Sequence, residues 1–231
     1  QNTDDSEATK LSFGRSLGLP GAEHTLLRGP ALFFVNNGPF SPSDALHIRS
    51  FGQNSKAADA ASIGKFGLGM KSVFHFCEAF FFLARDGERL YAEVLNPWSG
   101  PESMQSLHAE WDHFSEADAR AIRDHLAAVT YKLGSESDRL FILWLPLRRK
   151  AHLNLPEGGQ AGAIVSEYPG DDPTLLAFLE EDDLPVRLAA LMPMLRHLER
   201  AAYWDLQGTD GAAGPSFEVR LGDGARRLSL L

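Results

Sequence analysis

Residues 31–39, Ala-Leu-Phe-Phe-Val-Asn-Asn-Gly-Pro, join a continuous apolar run to a polar turn. The run over 31–35 has the length and composition of a buried strand, and the Asn-Asn-Gly-Pro that follows is typical of a turn. The strand therefore delivers Asn36 to a loop, beside Gly38, which lets a planar ring approach the backbone closely. An asparagine in this position can hydrogen-bond to the amino edge of a purine.

Signals for further strands and helices flank this segment on both sides. Ser41 or Ser43 can cap a helix that carries Leu46 and Ile48, because a serine hydroxyl accepts a hydrogen bond from the first helical turn. A strand is predicted to begin at residue 11. Two more, over 80–85 and 89–95, are joined by a hairpin turn at Asp86-Gly87. Further strands are predicted over 140–145, 201–206, 217–221 and 227–231. Helices are predicted over 70–78, 116–131, 175–180 and 184–198, the last interrupted at Pro193, and irregular connections over 14–30, 96–114 and 151–170.

A glycine-rich segment, Gly64-Lys-Phe-Gly-Leu-Gly-Met-Lys-Ser72, leads directly into the helix predicted from Met70. Glycines free the backbone to point successive N–H groups at an anion, and a helix N-terminus carries about half a positive charge. The segment is therefore a candidate phosphate cradle. It differs from the P-loop because Gly67 is followed by Leu68, and no parallel βαβ unit surrounds it as in dinucleotide-binding folds.

The first residues offer ligands for a magnesium ion. On a helix, Asn2 and Asp5 stand three positions apart and share a face. They present a neutral amide oxygen, which suits Mg²⁺, and a carboxylate one turn further on. Residues 52–63 are rich in Gly, Ser, Ala and Lys and lack an apolar face, so we predict that they form a mobile lid.

In their order and spacing these segments resemble the GHKL ATPases, and among them the sacsin-like branch. The resemblance rests on residues 1–5, 27–32, 35–41 and 62–75. It is specific over residues 1–85 and extends to about residue 150 through the apolar run at 140–147.

The resemblance implies an α/β fold of the Bergerat type. This fold is a two-layer α+β sandwich with a mixed, mainly antiparallel sheet and helices on one face, and ATP lies between the helices and the lid. Residues 1–150 are then the ATP-binding domain. Residues 151–231 are a C-terminal α+β extension, either a continuation of that domain or a transducer-like region.

The resemblance also assigns roles to individual residues. Asn2 is expected to ligate Mg²⁺, Asp5 to support the site, Asn36 to face the adenine amino group, and Gly38 to make room for the ring. The phosphates are expected to bind along Lys65, Phe66, Gly67, Leu68, Gly69, Met70, Lys71 and Ser72. In this segment residues 67–69 donate backbone N–H groups, and the two lysines are the candidates for charge compensation.

Two of the departures from the family pattern bear directly on adenine binding and hydrolysis. Asn36 stands where the family normally has a carboxylate, so the bond to the adenine amine loses the strength of a charged acceptor. The water-activating glutamate lies four residues before the asparagine of the N-terminal motif, which places it before Gln1. The catalytic residues are therefore unassigned, and we expect ATP hydrolysis to be a property of a longer protein.

Composition narrows the possible functions. The formal net charge of −9 disfavours nucleic acid, and no apolar run approaches the roughly 20 residues that cross a bilayer. The single cysteine, Cys77, excludes an internal disulfide and fits a reducing compartment, so we expect a soluble, cytoplasmic protein.

We therefore expect an ATP- and Mg²⁺-binding, ATP-hydrolysing module whose lid acts as a conformational switch, with a chaperone-like role. The expected partners are ATP and either the rest of a longer polypeptide or a protein client, and a homodimer is left open. One alternative is a degenerate GHKL fold that serves as a non-catalytic interaction module. Another is a DNA-linked GHKL ATPase, which the acidic charge disfavours.

Overall fold

The structure is a computed structural model, and it describes residues 2–49, 70–98, 108–134, 138–153, 167–206 and 214–222. Its strands are β1 (Lys10–Ser16), β2 (Ala31–Asn36), β3 (Phe80–Asp86), β4 (Arg89–Leu95), β5 (Arg139–Pro146), β6 (Arg200–Leu206) and β7 (Phe217–Arg220). Its α-helices are α1 (Asn2–Asp5), α2 (Pro42–Arg49), α3 (Glu116–His125), α4 (Ala127–Leu133) and α5 (Leu184–Leu191). Short 3₁₀ helices cover Thr25–Arg28, Met70–His75, Ala109–Asp112, Lys150–Leu153, Pro173–Leu179 and Met192–Met194.

The strands form one sheet in the order β4-β3-β5-β2-β1-β6-β7. All neighbouring strands are antiparallel except β1 and β6, which run parallel. The predicted mixed, mainly antiparallel sheet is therefore confirmed. The last two strands, β6 and β7, come from residues 151–231 and extend this sheet beyond β1.

The sheet buries apolar side chains on both faces, because successive residues of a strand point in opposite directions. On one face Phe33, Trp144 and Trp204 pack with residues of α3 and α4, such as Ile122 and Val129. The opposite face carries Phe80, Phe82, Leu145 and Tyr203, which pack with Ile48 of α2 and Leu176 of the 173–179 helix. The predicted α+β class is confirmed, with helical segments on both faces rather than on one.

Several predicted elements match the structure closely. Both strands of the hairpin and the strand ending at Asn36 form, and Gly87 at the hairpin turn has a φ of +60°. Ser41 begins α2: its hydroxyl accepts from Asp44 N, and the Asp44 carboxylate accepts from Ser41 N in return. In that helix Ile48 is buried, but Leu46 is exposed.

Other elements differ from the prediction. The connection predicted from Gly14 begins only after Ser16, because β1 continues through the glycine. The helix predicted over 116–131 is divided at Leu126 into α3 and α4. The segments predicted as helices over 70–78 and 175–180 are 3₁₀ helices, and α5 ends at Leu191, two residues before Pro193. The predicted lid over 52–63 and the strand over 227–231 lie outside the described residues. None of the helices in the described ranges is long and apolar enough to span a membrane.

Candidate functional site

Asn36 ends β2 in the interior of the sheet, between Leu11 of β1 and Phe141 of β5. It is 6% exposed, and its side-chain oxygen, Oδ1, accepts a hydrogen bond of 2.9 Å from Gly38 N. This bond closes a local turn, which explains why an asparagine follows the apolar run. The bond also fixes the orientation of the amide, with Oδ1 as the acceptor.

Asn37 has a different role from Asn36. Its Oδ1 accepts from the backbone N–H groups of Thr9 at 3.0 Å and Lys10 at 2.9 Å, and its Nδ2 donates to Thr9 Oγ1 at 2.9 Å. Asn37 therefore ties the loop after β2 to the start of β1. Nδ2 of Asn36, in contrast to that of Asn37, donates to no protein group within the described ranges.

The turn after α1 lies directly against Gly38. A Cβ atom added to this glycine would lie 2.7 Å from Ser6 Oγ and 2.8 Å from Ser6 O, which is closer than atoms in contact can approach. The absence of a side chain at Gly38 therefore lets the N-terminal segment and the loop after β2 meet. Two motifs more than 30 residues apart in the sequence form one surface in the fold.

Asp4 is the buried carboxylate of α1. Its Oδ1 accepts from His197 N at 2.6 Å and Leu198 N at 3.0 Å, and its Oδ2 accepts from Arg196 N at 2.9 Å. Burial alone would raise the pKa of the Asp4 carboxyl, but these three donors and the nearby His197 outweigh burial and lower that pKa. No local sequence signal identifies this role, because its partners lie more than 190 positions later.

The remaining predicted ligands of α1 are less constrained. Asp5 is exposed, as expected for a side chain that leaves the helix toward solvent. Asn2 begins α1, but its side chain lies outside the described part of the chain. The assignments of Asn2 and Asp5 as metal-binding and supporting residues stay predictions.

Most of the predicted phosphate-binding segment lies outside the described residues, from Lys65 through Gly69. Met70, Lys71 and Ser72 open the 3₁₀ helix Met70–His75, and the Ser72 side chain is exposed. This helix has 6 residues, so the helix-dipole argument made from the sequence does not apply at full strength. Phosphate binding there would depend on the backbone N–H groups of the glycine-rich residues.

Arg148 anchors the segment that follows the glycine-rich residues. It is 2% exposed, and its guanidinium forms an ion pair with Glu78 and donates to the carbonyl oxygens of Phe74 and His75. The other carboxylate oxygen of Glu78 accepts from Trp98 Nε1 at 3.1 Å. The sequence analysis did not identify this pair, because 70 positions separate its two members.

A family model described as the Sacsin domain matches residues 1–152. The chain belongs to this family. It is also similar to human sacsin, with 35% identity over 238 residues that include 95% of this chain. The chain spans 5% of the length of human sacsin.

The match to the sacsin domain includes every segment that forms the candidate site. It covers α1, β1 to β5 and the loops that carry Asn36 and Gly38, together with the glycine-rich residues and Arg148. The three backbone donors to Asp4 and the strands β6 and β7 come from residues after the matched part. This sacsin domain therefore holds its N-terminal motif in place with contacts from residues 196–198.

Proposed function

We infer that this sacsin domain binds ATP with Mg²⁺ in a GHKL-type site. The observation that carries the proposal is the close contact between Gly38 and Ser6, which joins the N-terminal motif to the loop after β2. An ATP site of this kind requires both motifs at one place, because one holds the metal that binds the phosphates while the other holds the base.

The fixed amide of Asn36 suits adenine. A carbonyl oxygen accepts two hydrogen bonds, so Oδ1 keeps capacity for the adenine amino group while it accepts from Gly38 N. Nδ2 can donate to the ring nitrogen on the same edge, which gives two matched bonds. Guanine in the same pose would place its O6 acceptor against the Oδ1 acceptor, so the site should select ATP over GTP.

A single protein ligand is sufficient for the metal. Mg²⁺ in nucleotide sites keeps several waters and takes further oxygens from the phosphates, so the amide of Asn2 would complete the coordination. In the described part of the chain, no three His, Cys, Asp or Glu side chains are grouped to hold a metal. Bound Mg²⁺ would neutralise phosphate charge in the complex.

We assign this binding a chaperone-like role in the cytoplasm, in which ATP switches the domain between states that act on protein clients or on the rest of a longer protein. A ligand shifts such an equilibrium only by its difference in affinity for the two states. Cys77 is fully buried, and burial raises the pKa of its thiol, which fits an unreactive cysteine in a reducing compartment. Hydrolysis would in addition require a general base that activates the attacking water.

Thermal unfolding with ATP and Mg²⁺ tests the proposal. ATP at a hundred times its dissociation constant should add about 2.7 kcal/mol to the free energy of unfolding, and GTP should add less. Asn2→Ala and Gly67→Val should abolish the effect. Gly21→Val is the matched control, since a Cβ at this position meets no atom within 4 Å.

The Asn36→Asp variant distinguishes a site that binds ATP from a degenerate site that does not. The carboxylate keeps the acceptor for Gly38 N, so the turn should persist. It loses the neutral Nδ2 donor to the ring nitrogen but supplies a charged acceptor for the adenine amine, which we expect to be the larger effect. A measurable gain in ATP affinity with unchanged folding would support the site. No stabilisation of either form by millimolar ATP would overturn the proposal in favour of a non-catalytic interaction module.

A further inference from the structure

A pocket lies on the same face of the sheet as Asn36, at the opposite end of the strands. Asn36 pairs with Leu11 at the start of β1, whereas Arg15 near the end of β1 pairs with Leu32. The pocket beside Arg15 has a volume of about 360 Å³. Its walls come from β1, β6, the start of β7 and residues 179–185, and it shares no lining residue with the candidate ATP site.

Three buried polar atoms around this pocket lack a hydrogen-bond partner within the described part of the chain. They are the Tyr203 hydroxyl, Nε of Arg15 and Oδ1 of Asp205. Tyr203 is only 4% exposed and lines the pocket. Buried polar groups in folded proteins are nearly always hydrogen-bonded, so three unpaired atoms at one cavity indicate a ligand that is absent from the protein alone.

The charge of the lining determines which ligand fits. Among the described residues that line the pocket, Arg15 is the only cation, and Glu180 and Asp205 already neutralise it at 2.5 Å and 2.8 Å. The other charged lining residues are Glu181 and Asp182, of which Glu181 pairs with Arg187 at 3.0 Å. An anion would therefore meet an excess of carboxylates, whereas a cation would meet favourable charge.

The chemistry of two of the three free atoms, those of Asp205 and Tyr203, agrees with a cation that carries N–H donors, whereas Arg15 Nε is itself a donor. Asp205 Oδ1 can only accept hydrogen bonds, and the Tyr203 hydroxyl can accept one. Burial raises the pKa of Tyr203, Arg15 opposes this shift, and Asp205 and Glu180 add to it, so the hydroxyl stays neutral. Leu179, Pro185 and Phe217 supply an apolar wall for an aliphatic stem.

We propose that this pocket binds an ammonium or guanidinium group on an aliphatic stem, with Asp205 Oδ1 and the Tyr203 hydroxyl as the acceptors for its N–H groups. A volume near 360 Å³ lies at the lower end of the range for small-molecule sites, and it suits one basic side chain or a small amine. The cation is either a free amine or a lysine or arginine side chain of a protein segment.

The test is an NMR titration of the isotope-labelled chain with butylguanidinium and with butylurea, its neutral isostere. Butylguanidinium should shift the backbone resonances of residues 203–205 and 216–217, and butylurea should bind at least about tenfold more weakly because it lacks the charge. Equal binding of the two compounds, or no shift with butylguanidinium, would overturn the proposal.

The Tyr203→Phe variant distinguishes a role of the hydroxyl in cation binding from a role in the stability of the fold. It removes only the unpaired hydroxyl, so it should weaken butylguanidinium binding about tenfold while the melting temperature stays the same or rises. Tyr131→Phe is the matched control, because Tyr131 on α4 is 77% exposed. A Tyr203→Phe protein that melts earlier and binds the cation unchanged would show that the hydroxyl is structural and would contradict the proposal.

A capped peptide with one arginine between leucines identifies the source of the cation. Tighter binding of this peptide than of butylguanidinium would support a basic side chain of a protein segment, whereas equal or weaker binding would support a free amine. ATP affinity should not change in Tyr203→Phe, since the two sites share no residue.

Discussion

The guanidinium of Arg148 and the carboxylate of Glu78 form a buried ion pair that joins the end of β5 to the segment leading into β3. Both side chains are more than nine-tenths buried, and the Arg148 backbone N–H also donates to Phe76 O at 2.6 Å. The pair therefore fixes the residues that follow the glycine-rich segment.

Removing one member of this ion pair should substantially lower the free energy of unfolding. Arg148→Met leaves the Glu78 carboxylate buried without its partner, so we expect a loss of roughly 3 to 5 kcal/mol in the free energy of unfolding. Urea denaturation measures this loss. Arg120→Met is the control, because Arg120 pairs with Glu116 on the exposed surface of α3 and such pairs contribute about 1 kcal/mol or less.

The double variant of Arg148→Met and Glu78→Gln checks the mechanism. It should lose less stability than the sum of the two single losses, since it leaves no unpaired buried charge. Strictly additive losses would contradict a direct coupling between the two side chains.

Asp4→Asn should loosen the N-terminal motif. The amide that replaces the carboxylate carries one acceptor oxygen instead of two, so at least one of the three backbone donors at residues 196–198 loses its partner. We expect a loss of roughly 1 to 3 kcal/mol in the free energy of unfolding. Asp5→Asn, at the exposed neighbouring position, controls for the change in charge and should cost little.

Acid titration gives a second measurement of Asp4. Because the pKa of Asp4 is lower in the folded chain than its ordinary value of 3.8, this carboxylate contributes stability above that value. The contribution is lost as the pH falls through the folded pKa. The Asp4→Asn protein should therefore show a smaller loss of stability below about pH 4 than the unmodified protein, and identical curves would rule out this role.

Gly14→Ala tests the close packing of β1. A Cβ on Gly14 would lie 2.0 Å from the Trp204 carbonyl oxygen and 2.8 Å from a ring atom of Phe33, so the strand and the core beneath it would have to move. Overpacking of this kind costs about 3 kcal/mol or more when the backbone itself is in the way. Gly21→Ala is the matched control, since nothing lies within 4 Å of its Cβ; equal melting temperatures for the two variants would contradict the packing.

His152 should make the stability depend on pH in a defined window. Burial, helped by the Arg149 guanidinium and opposed by Asp171, lowers the pKa of His152 to about 4. The unfolded chain, with a pKa near 6.5, therefore binds the proton more readily, and stability is lost as the pH falls from about 6.5 toward 4. A shift of this size corresponds to roughly 3 kcal/mol.

The stability of His152→Gln, measured by denaturant unfolding at several pH values, should vary less across this window than that of the unmodified protein. His113→Gln, at an exposed position, controls for the loss of an imidazole. If the free energy of unfolding of both variants depends on pH in the same way, the role assigned to His152 is wrong.

Local sequence signals predicted the elements whose contacts are local. The apolar run before Asn36, the Asp86-Gly87 hairpin and the serine cap of α2 each depend on residues within a few positions of one another. The length of β1 was not predictable in this way. Gly14 indicates a chain break when it is considered alone, but in the sheet it provides the space that Trp204 and Phe33 occupy.

The sequence predicted the motifs of the candidate site, but it did not predict the residues that hold those motifs in place. The order of the motifs predicted that Asn36, Gly38 and the N-terminal segment serve one site, and these roles stay predictions; the structure adds that Gly38 contacts Ser6. The contacts of Asp4 with residues 196–198 could not be predicted from the motifs, because those partners donate through backbone N–H groups, which every residue except proline possesses.

By itself, the sequence determined the family, the α+β class and the position of the polar turn at the end of β2, since these depend on residue types at short, regular spacings. The tertiary structure alone decided which carboxylate of α1 is buried, which cation anchors the segment after the glycine-rich residues, and that Arg15, Tyr203 and Asp205 surround a pocket. The physical reason is that burial and ion pairing are set by residues that are distant in the chain. A charged side chain has the same local pattern whether it faces solvent or a partner 190 positions away.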